Sequence, residues 1–324
     1  MLASTLPFLL LVTVACARGI SASAFYWPNV KHVFSFGDSY TDTYARFVNG
    51  TLTASHDLKS TSGGKMWIEW LTDTYNVSTV ELYNFARVFP ESPGGRRYGG
   101  AVTDETIVAQ SSSSTQSFRD QVNNFLAGYA NNSAVPWTAD DSLFTVFIGM
   151  RYSLAASSVG INDIGKSYYW TNETQHTTNA RVLASYFERL ALLRSAGARN
   201  FLLLQSAHTA PGEPNNGTLQ SLAALDYNAQ LAQNIEGFTR NSSALGVSVN
   251  VAIHPTHALF DFALDNAEVL GFTNVASGWW TGLADQDQYS AATYFWWNNF
   301  HPTWGVHDVL AHSVSTFLSK RSGL

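Results

Sequence analysis

Four residues, in the order serine, glycine, asparagine and histidine, are spaced so that one fold could gather them into a hydrolytic site. Ser39 lies in VFSFGDSYTD (residues 33–42), an apolar run of strand character that ends in a Gly37-Asp38-Ser39 turn. A helix following this turn would leave the serine hydroxyl at the carboxyl end of a strand, beside the positive end of a helix. Gly37 would let the chain turn sharply, and Asp38 or Thr41 would cap the first helical turn. A serine there can attack an ester carbonyl if a base takes its proton and N–H donors hold the oxyanion. His301 is the candidate base, and it would later protonate the leaving alcohol. The backbone N–H groups of Ser39 and Gly100 and the side-chain amide of Asn162 are the candidate oxyanion donors. Taken alone, Gly-Asp-Ser is an ordinary turn composition, and a capping serine is the competing reading.

These residues need a scaffold that brings distant segments to one edge. Apolar runs at 33–36, 80–86, 143–148, 201–204 and 247–253 read as strands. Helical spacing appears at 65–75, 115–129, 180–195, 219–238 and about 306–318, and Gly197 is placed to stop the helix over 180–195. The stretches 87–97 and 149–159 read as loops. Strands that alternate with helices imply a parallel sheet covered on both faces. The expected architecture is one doubly wound three-layer α/β domain over 25–324, with about five parallel strands.

Composition narrows the classes of function. Of the 324 residues, 45% are hydrophobic and 13% charged, and the formal net charge is −6. No basic stripe is present, which argues against nucleic acid and anionic membrane surfaces. Leu6 to Ala17 is an apolar run of signal-peptide length, followed by Ala22-Ser23-Ala24, an A-x-A cleavage pattern; Ala15-Cys16-Ala17 is an alternative site. Residues 1–24 are therefore read as a signal peptide and the mature protein as secreted, with no membrane span. The only cysteine, Cys16, lies inside that segment, which excludes thiol chemistry and cysteine metal sites in the mature chain. Six N-x-S/T sequons, at Asn49, Asn76, Asn131, Asn172, Asn216 and Asn241, fit a secreted glycoprotein. His254, His257 and His307 form no compact ligand set, so neither metal nor cofactor is expected.

Four stretches together resemble the SGNH, or GDSL, hydrolases: FGDS (36–39), GAV (100–102), GIND (160–163) and NNFHPT (298–303). They span nearly all of the mature chain. The resemblance implies a flavodoxin-like α/β/α sandwich and the roles of Ser39, Gly100, Asn162 and His301 given above. The flanking text, including GGAVTDE (99–105), LDNAEVLGFTN (264–274) and FWWNNFHPT (295–303), is most similar to secreted fungal acetylesterases acting on carbohydrate. The implied substrate is an acetylated oligosaccharide or another small ester, handled by a monomer. A lipase-like esterase on the same residues is the second reading. A catalytically impaired carbohydrate-binding relative is the third.

Three departures from the family pattern stand out. The family usually has Asp three residues before the histidine, and here the residue is Asn298, which can accept the His301 ring N–H but brings no charge. Asp308 is too far along the chain to take that part. Segments 87–97 and 149–159 interrupt the approach to Gly100 and Asn162; they are either substrate loops or non-coding sequence translated in error. Asp163 is expected to hold its own loop. Trp296 and Trp297, extended by Trp279 and Trp280, could stack sugars beside His301, against core packing as the ordinary role of tryptophan.

Overall fold

The structure is a computed structural model that describes residues 25–53, 60–88, 100–110, 115–131, 135–149, 162–207, 218–280 and 288–324. The segment expected to be a signal peptide (1–24, with Cys16), most of both interrupting segments (89–97 and 150–159), Gly160, Ile161 and the Asn216 sequon lie outside the described residues.

Five strands form one parallel sheet: β1 (His32–Gly37), β4 (Glu81–Asn84), β5 (Ser142–Phe147), β6 (Asn200–Leu204) and β7 (Asn250–His254), in the order β4-β1-β5-β6-β7. This is the flavodoxin-like order, as expected. The chain steps from β1 outward to β4, then returns to the other side of β1 as β5. The loops leaving β1 and β5 therefore diverge, and a crevice opens at the carboxyl ends of these two strands. Gly37 pairs with Phe147 at that edge.

Side-chain alternation along the strands builds the two covering layers. Phe34, Phe36, Phe144 and Val146 face α2 (Phe118–Gly128), α4 (Gln175–Ser195) and α5 (Leu219–Ala244). Val33, Leu143, Leu202 and Leu204 face α1 (Trp67–Asp73), α6 (Thr256–Asp265) and α7 (Trp304–Arg321). Both faces are apolar, which is why these strands read as continuous hydrophobic runs. Local signals set the helix ends. Ser117 and Asp120 form a reciprocal capping box at α2. Gly197, at φ +116°, closes α4.

Several elements differ from expectation. No helix follows Ser39. Residues 38–42 make a single turn, with Asp42 N–H bonded to the Asp38 carbonyl at 3.0 Å, and the chain then enters a hairpin of β2 (Arg46–Val48) and β3 (Thr51–Thr53). Asn49 and Gly50 both have positive φ, the geometry of a two-residue hairpin turn. The Ser39 turn therefore has no extended helix dipole behind it. α6, the one-turn α3 (Asp163–Ser167) and the pair β8 (Asn274–Gly278) and β9 (Tyr294–Trp296) had no counterpart in the sequence reading. Among the described residues, no helix is long and apolar enough to cross a membrane.

Candidate active site

Ser39 leaves β1 on a turn that is fixed from several directions. Gln121, fully buried on α2, accepts the Gly37 N–H at 2.9 Å and donates to the Gly37 carbonyl at 2.7 Å. Its amide thus completes the pairing of the last residue of β1. Gly37 is needed for space rather than for a sharp turn. A Cβ there would lie 2.7 Å from both the Phe147 carbonyl oxygen and Thr41 Oγ1. Asp38 caps the turn through Oδ1, which accepts the Tyr40 N–H at 3.0 Å. The Thr61 hydroxyl donates to the Ser39 carbonyl. Asn84, at the end of β4, donates to the Thr41 carbonyl at 2.6 Å and to Thr43 Oγ1 at 3.0 Å.

His301 lies on the loop between β9 and α7. That loop closes on itself: Trp297 N–H donates to the His301 carbonyl at 2.7 Å, and Thr303 N–H to the Phe295 carbonyl at 2.9 Å. Its ring is fully buried, with Nε2 2.8 Å from Ser39 Oγ and Nδ1 3.1 Å from Asn298 Oδ1. Asn298 Oδ1 also accepts the backbone N–H groups of Phe300 and His301, both at 2.9 Å. Two obligate donors on that atom fix the amide orientation, so it faces His301 as an acceptor. His301 must then carry its proton on Nδ1, leaving Nε2 free to accept from the serine hydroxyl. This is the tautomer that general-base chemistry requires.

Burial, and secondarily the neighbouring His307, push the His301 pKa down to about 3. The ring is neutral at any ordinary working pH, and the Asn298 amide supplies no charge that would raise its basicity.

Asn162 begins α3 without capping it. Its side chain instead donates to Asp38 Oδ2 at 2.9 Å. Its NH2 group has a second hydrogen, which a substrate oxygen could take. Gly100 is buried and opens the stretch Ala101-Val102-Thr103, which Asp163 grips through Thr103. Asp163 was expected to hold its own loop; it holds the Gly100 stretch instead. Burial raises its pKa to about 6. Ser39, His301, Asn298 and Asn162 are thus joined by hydrogen bonds, with Asp38 as the link between the serine turn and Asn162.

A family model described as GDSL-like Lipase/Acylhydrolase matches residues 33–314. The chain belongs to that family. As a GDSL acylhydrolase it is a carboxylic ester hydrolase. It is 31% identical over 302 residues to an acetylesterase of Thermothelomyces thermophilus, covering 89% of this chain and 88% of that one. Among solved structures it is similar to Axe2, an acetylxylan esterase from Geobacillus stearothermophilus (11% identity, TM-score 0.45, 89% of this chain and 94% of that chain). Est24, a carbohydrate acetylesterase from Sinorhizobium meliloti, is also similar (9% identity, TM-score 0.38, 90% and 99%).

The tryptophans divide in this GDSL site. Trp296 is fully buried against Phe295, so it has no face for a sugar, which corrects the expectation. Trp279 is buried too and stacks on the half-buried Trp297, with ring centroids 4.8 Å apart. Trp297 also lies over Gly63, where a Cβ would meet its ring at 2.3 Å. Asp308 accepts the Tyr75 hydroxyl at 2.5 Å and is already engaged. His254 bonds Thr256 and Ser313, His257 faces the Ser206 carbonyl, and His307 Nδ1 accepts the Trp67 N–H. No group of three or more metal-ligating side chains that could hold an ion occurs among the described residues. Gln121, Asn84 and Tyr40 hold the serine turn, and the sequence reading gave none of them that part.

Proposed function

We propose that this chain is a secreted serine esterase that removes acetyl groups from carbohydrate through an acyl-enzyme on Ser39. The observation that carries the reading is the unbroken line Ser39 Oγ, His301 Nε2, His301 Nδ1, Asn298 Oδ1, at 2.8 and 3.1 Å across the ring. In the first step Ser39 Oγ attacks the acetyl carbonyl carbon and its proton passes to His301 Nε2. The oxyanion accepts hydrogen bonds from the N–H groups of Ser39 and Gly100 and from the Asn162 amide. The carbon–oxygen bond to the sugar then breaks, and the sugar hydroxyl leaves with the proton from Nε2. A water molecule, deprotonated by the same nitrogen, attacks the acyl-enzyme and releases acetate.

The acetyl part of the proposal is supported by the relation to the acetylesterase from T. thermophilus, and the carbohydrate part rests on the resemblance of the flanking sequence. The signal-like segment at 1–24 and the sequons support secretion. Of the five described sequon asparagines, Asn49, Asn131, Asn172 and Asn241 are exposed. Trp297 and Trp280, both half-buried and joined by the Trp280 N–H on the Trp297 carbonyl at 2.7 Å, are the remaining candidates for contact with a sugar ring.

The test is hydrolysis of acetylated xylo-oligosaccharide and of a chromogenic acetyl ester by the purified protein and by Ser39→Ala. The expected loss in kcat is at least ~10³-fold. Equal rates for the two proteins would overturn the nucleophile assignment.

One observation favours a lipid ester as the alternative substrate. The first turns of α5 expose Leu219, Leu222 and Leu225. They precede Tyr227, whose hydroxyl reaches the Ile148 carbonyl at the carboxyl end of β5, so they stand beyond the edge of the sheet that carries Ser39. An acyl-chain series decides between the two: a rate maximum at acetyl that collapses by octanoyl removes the lipid reading.

A further inference from the structure

Two hydrogen bonds run side by side between the Ser39 turn and the His301 loop. One is the Ser39 Oγ to His301 Nε2 bond at 2.8 Å. The other joins the adjacent residues: the Tyr40 hydroxyl donates to the Phe300 carbonyl at 2.7 Å. Tyr40 is 1% exposed. Its ring packs against His301, His307 and Phe147, with centroids 5.6, 5.9 and 5.9 Å away, so the direction of its hydroxyl is set by packing.

We infer that Tyr40 is a positioning residue, which locks the serine turn to the histidine loop through the Phe300 carbonyl and keeps Ser39 and His301 in register through the whole catalytic cycle. The inference rests on the proposed roles of Ser39 and His301.

The direct bond is interrupted during turnover. Once Ser39 Oγ has bonded to the acyl carbon, it has no proton left to share with His301. Nε2 then turns its proton to the leaving oxygen and afterwards accepts one from water. In that interval the Ser39–His301 bond no longer holds the two loops together. The Tyr40–Phe300 bond takes no part in proton transfer and persists. Burial, with Asp38 nearby, raises the phenol pKa well above its usual value, so the group stays a donor at every working pH. The two loops come from opposite ends of the chain; segment 60–64 bridges them indirectly, with the Thr61 hydroxyl on the Ser39 carbonyl and Trp304 N–H on the Ser62 carbonyl at 3.2 Å, whereas the Tyr40–Phe300 bond joins them directly. The serine turn is held by Gln121 and Asn84, while the histidine loop is held by its own backbone and by β9. A misplacement of about 1 Å between reacting groups costs roughly 10²-fold in rate.

Tyr40→Phe removes the hydroxyl and keeps the ring. The experiment measures kcat and KM separately on an acetyl ester, and the rate at which a serine-directed phosphonate labels Ser39. All are taken well below the thermal midpoint of each protein, so that only folded molecules count. The expected result is a fall in kcat of about tenfold or more, KM within twofold of wild type, and phosphonylation slowed in proportion to kcat while still reaching one label per chain. Hydrogen exchange over residues 297–303 should rise in the variant relative to the central strands. Wild-type kcat and a wild-type labelling rate in Tyr40→Phe would overturn the inference. So would a loss carried only by KM, or a lowered midpoint with unchanged kcat, because those are the marks of a structural role. Failure of the underlying reading looks different: the wild-type protein itself would take no label at Ser39.

Discussion

Both carboxylate oxygens of Asp163 accept the backbone N–H of Thr103, at 3.1 and 2.9 Å, and Oδ2 also accepts the Thr103 hydroxyl at 2.8 Å. This contact joins the two stretches that carry candidate oxyanion donors. Gly100 lies three residues before Thr103, and Asn162 directly precedes Asp163. Neither stretch belongs to a strand, so their relative position depends on this side chain.

Protonation of Asp163 should therefore be visible in activity. Burial raises its pKa to about 6, so the acceptor weakens as the pH falls through that value. His301, depressed to about 3, cannot be the source of a limb near pH 6. Asp42, which holds Val88 and Tyr44 beside the serine turn, is also raised by burial to about 6 and is the necessary control. The expected outcome is an acid limb in kcat near pH 6 for the wild-type protein. In Asp163→Asn it should be absent, with kcat reduced about tenfold above pH 7 because the amide grips Thr103 less firmly. A full pH–rate profile of wild type, Asp163→Asn and Asp42→Asn checks this. An acid limb unchanged in Asp163→Asn assigns it elsewhere.

The sheet was legible because its strands are apolar on both faces, and the alternation of Phe34, Phe36, Phe144 and Val146 with their neighbours leaves little choice of register. The helices were legible where an apolar stripe met a stop, as in α4 before Gly197. The hairpin over 46–53 has a sequence signal, Asn49-Gly50, that coincides with the start of a sequon. α6 escaped because it is only ten residues long and directly follows Pro255, so its narrow polar stripe of His257, Asp261 and Asp265 has too few turns to stand out as a period. At the site, the pair Ser39 and His301 was legible from residue types in order along the chain. Gln121, Asn84 and Tyr40 were not, because a buried amide or phenol becomes a clamp only when the fold brings a distant backbone group to it. Trp296 and Trp297 show the same limit. Adjacent positions at the end of β9 point in different directions, and the sequence alone does not say which one is inside.

Buried histidines give the stability of the fold a defined dependence on acid. Burial depresses the pKa values of His254, His301 and His307 to about 3 each. Unfolded, each titrates near 6.5. Their contribution is fully present above about pH 6.5 and is lost as the pH falls toward 3, because only the unfolded chain takes up these protons in that window. Asp42 and Asp163 act in the opposite sense. Raised to about 6, they gain protons in the native state first, which favours folding as the pH drops from 6 toward the ordinary carboxylate range. Three histidines oppose two carboxylates, so stability should fall gently between pH 6 and 4 and steeply below. Denaturant unfolding at pH 6.5, 5 and 3.5 measures it. His254→Gln, remote from Ser39 and bonded to Thr256 and Ser313, should flatten the curve by one proton. An unchanged slope in that variant would show that His254 is already protonated in the native state.

Asn298 faces the proton-bearing ring nitrogen of His301. Its Oδ1 collects three N–H groups, from Phe300, from the His301 backbone and from the His301 ring. Its Nδ2 is buried and has no hydrogen-bond partner among the described residues. Asn298→Asp would keep the three donors on one oxygen and replace the unpartnered NH2 with a second acceptor. It would also place a negative charge beside the ring that must become an imidazolium during turnover. That charge raises the His301 pKa from about 3 toward the working pH, which makes the ring a stronger base. In serine proteases the reverse exchange costs about 10⁴ in kcat. Here the loop already holds the ring in the correct tautomer, so part of that factor is in hand. The expected gain is at least about tenfold in kcat. A second signature accompanies it: a new acid limb on the pH–rate profile, above any limb seen in the wild type at the same ionic strength, because the histidine now titrates within the accessible range. Stability is not expected to rise with activity, since a buried carboxylate carries a desolvation cost. His301→Ala in the same background sets the floor for the comparison. If Asn298→Asp leaves kcat and the pH profile untouched while His301→Ala abolishes turnover, the group that orients His301 is not residue 298.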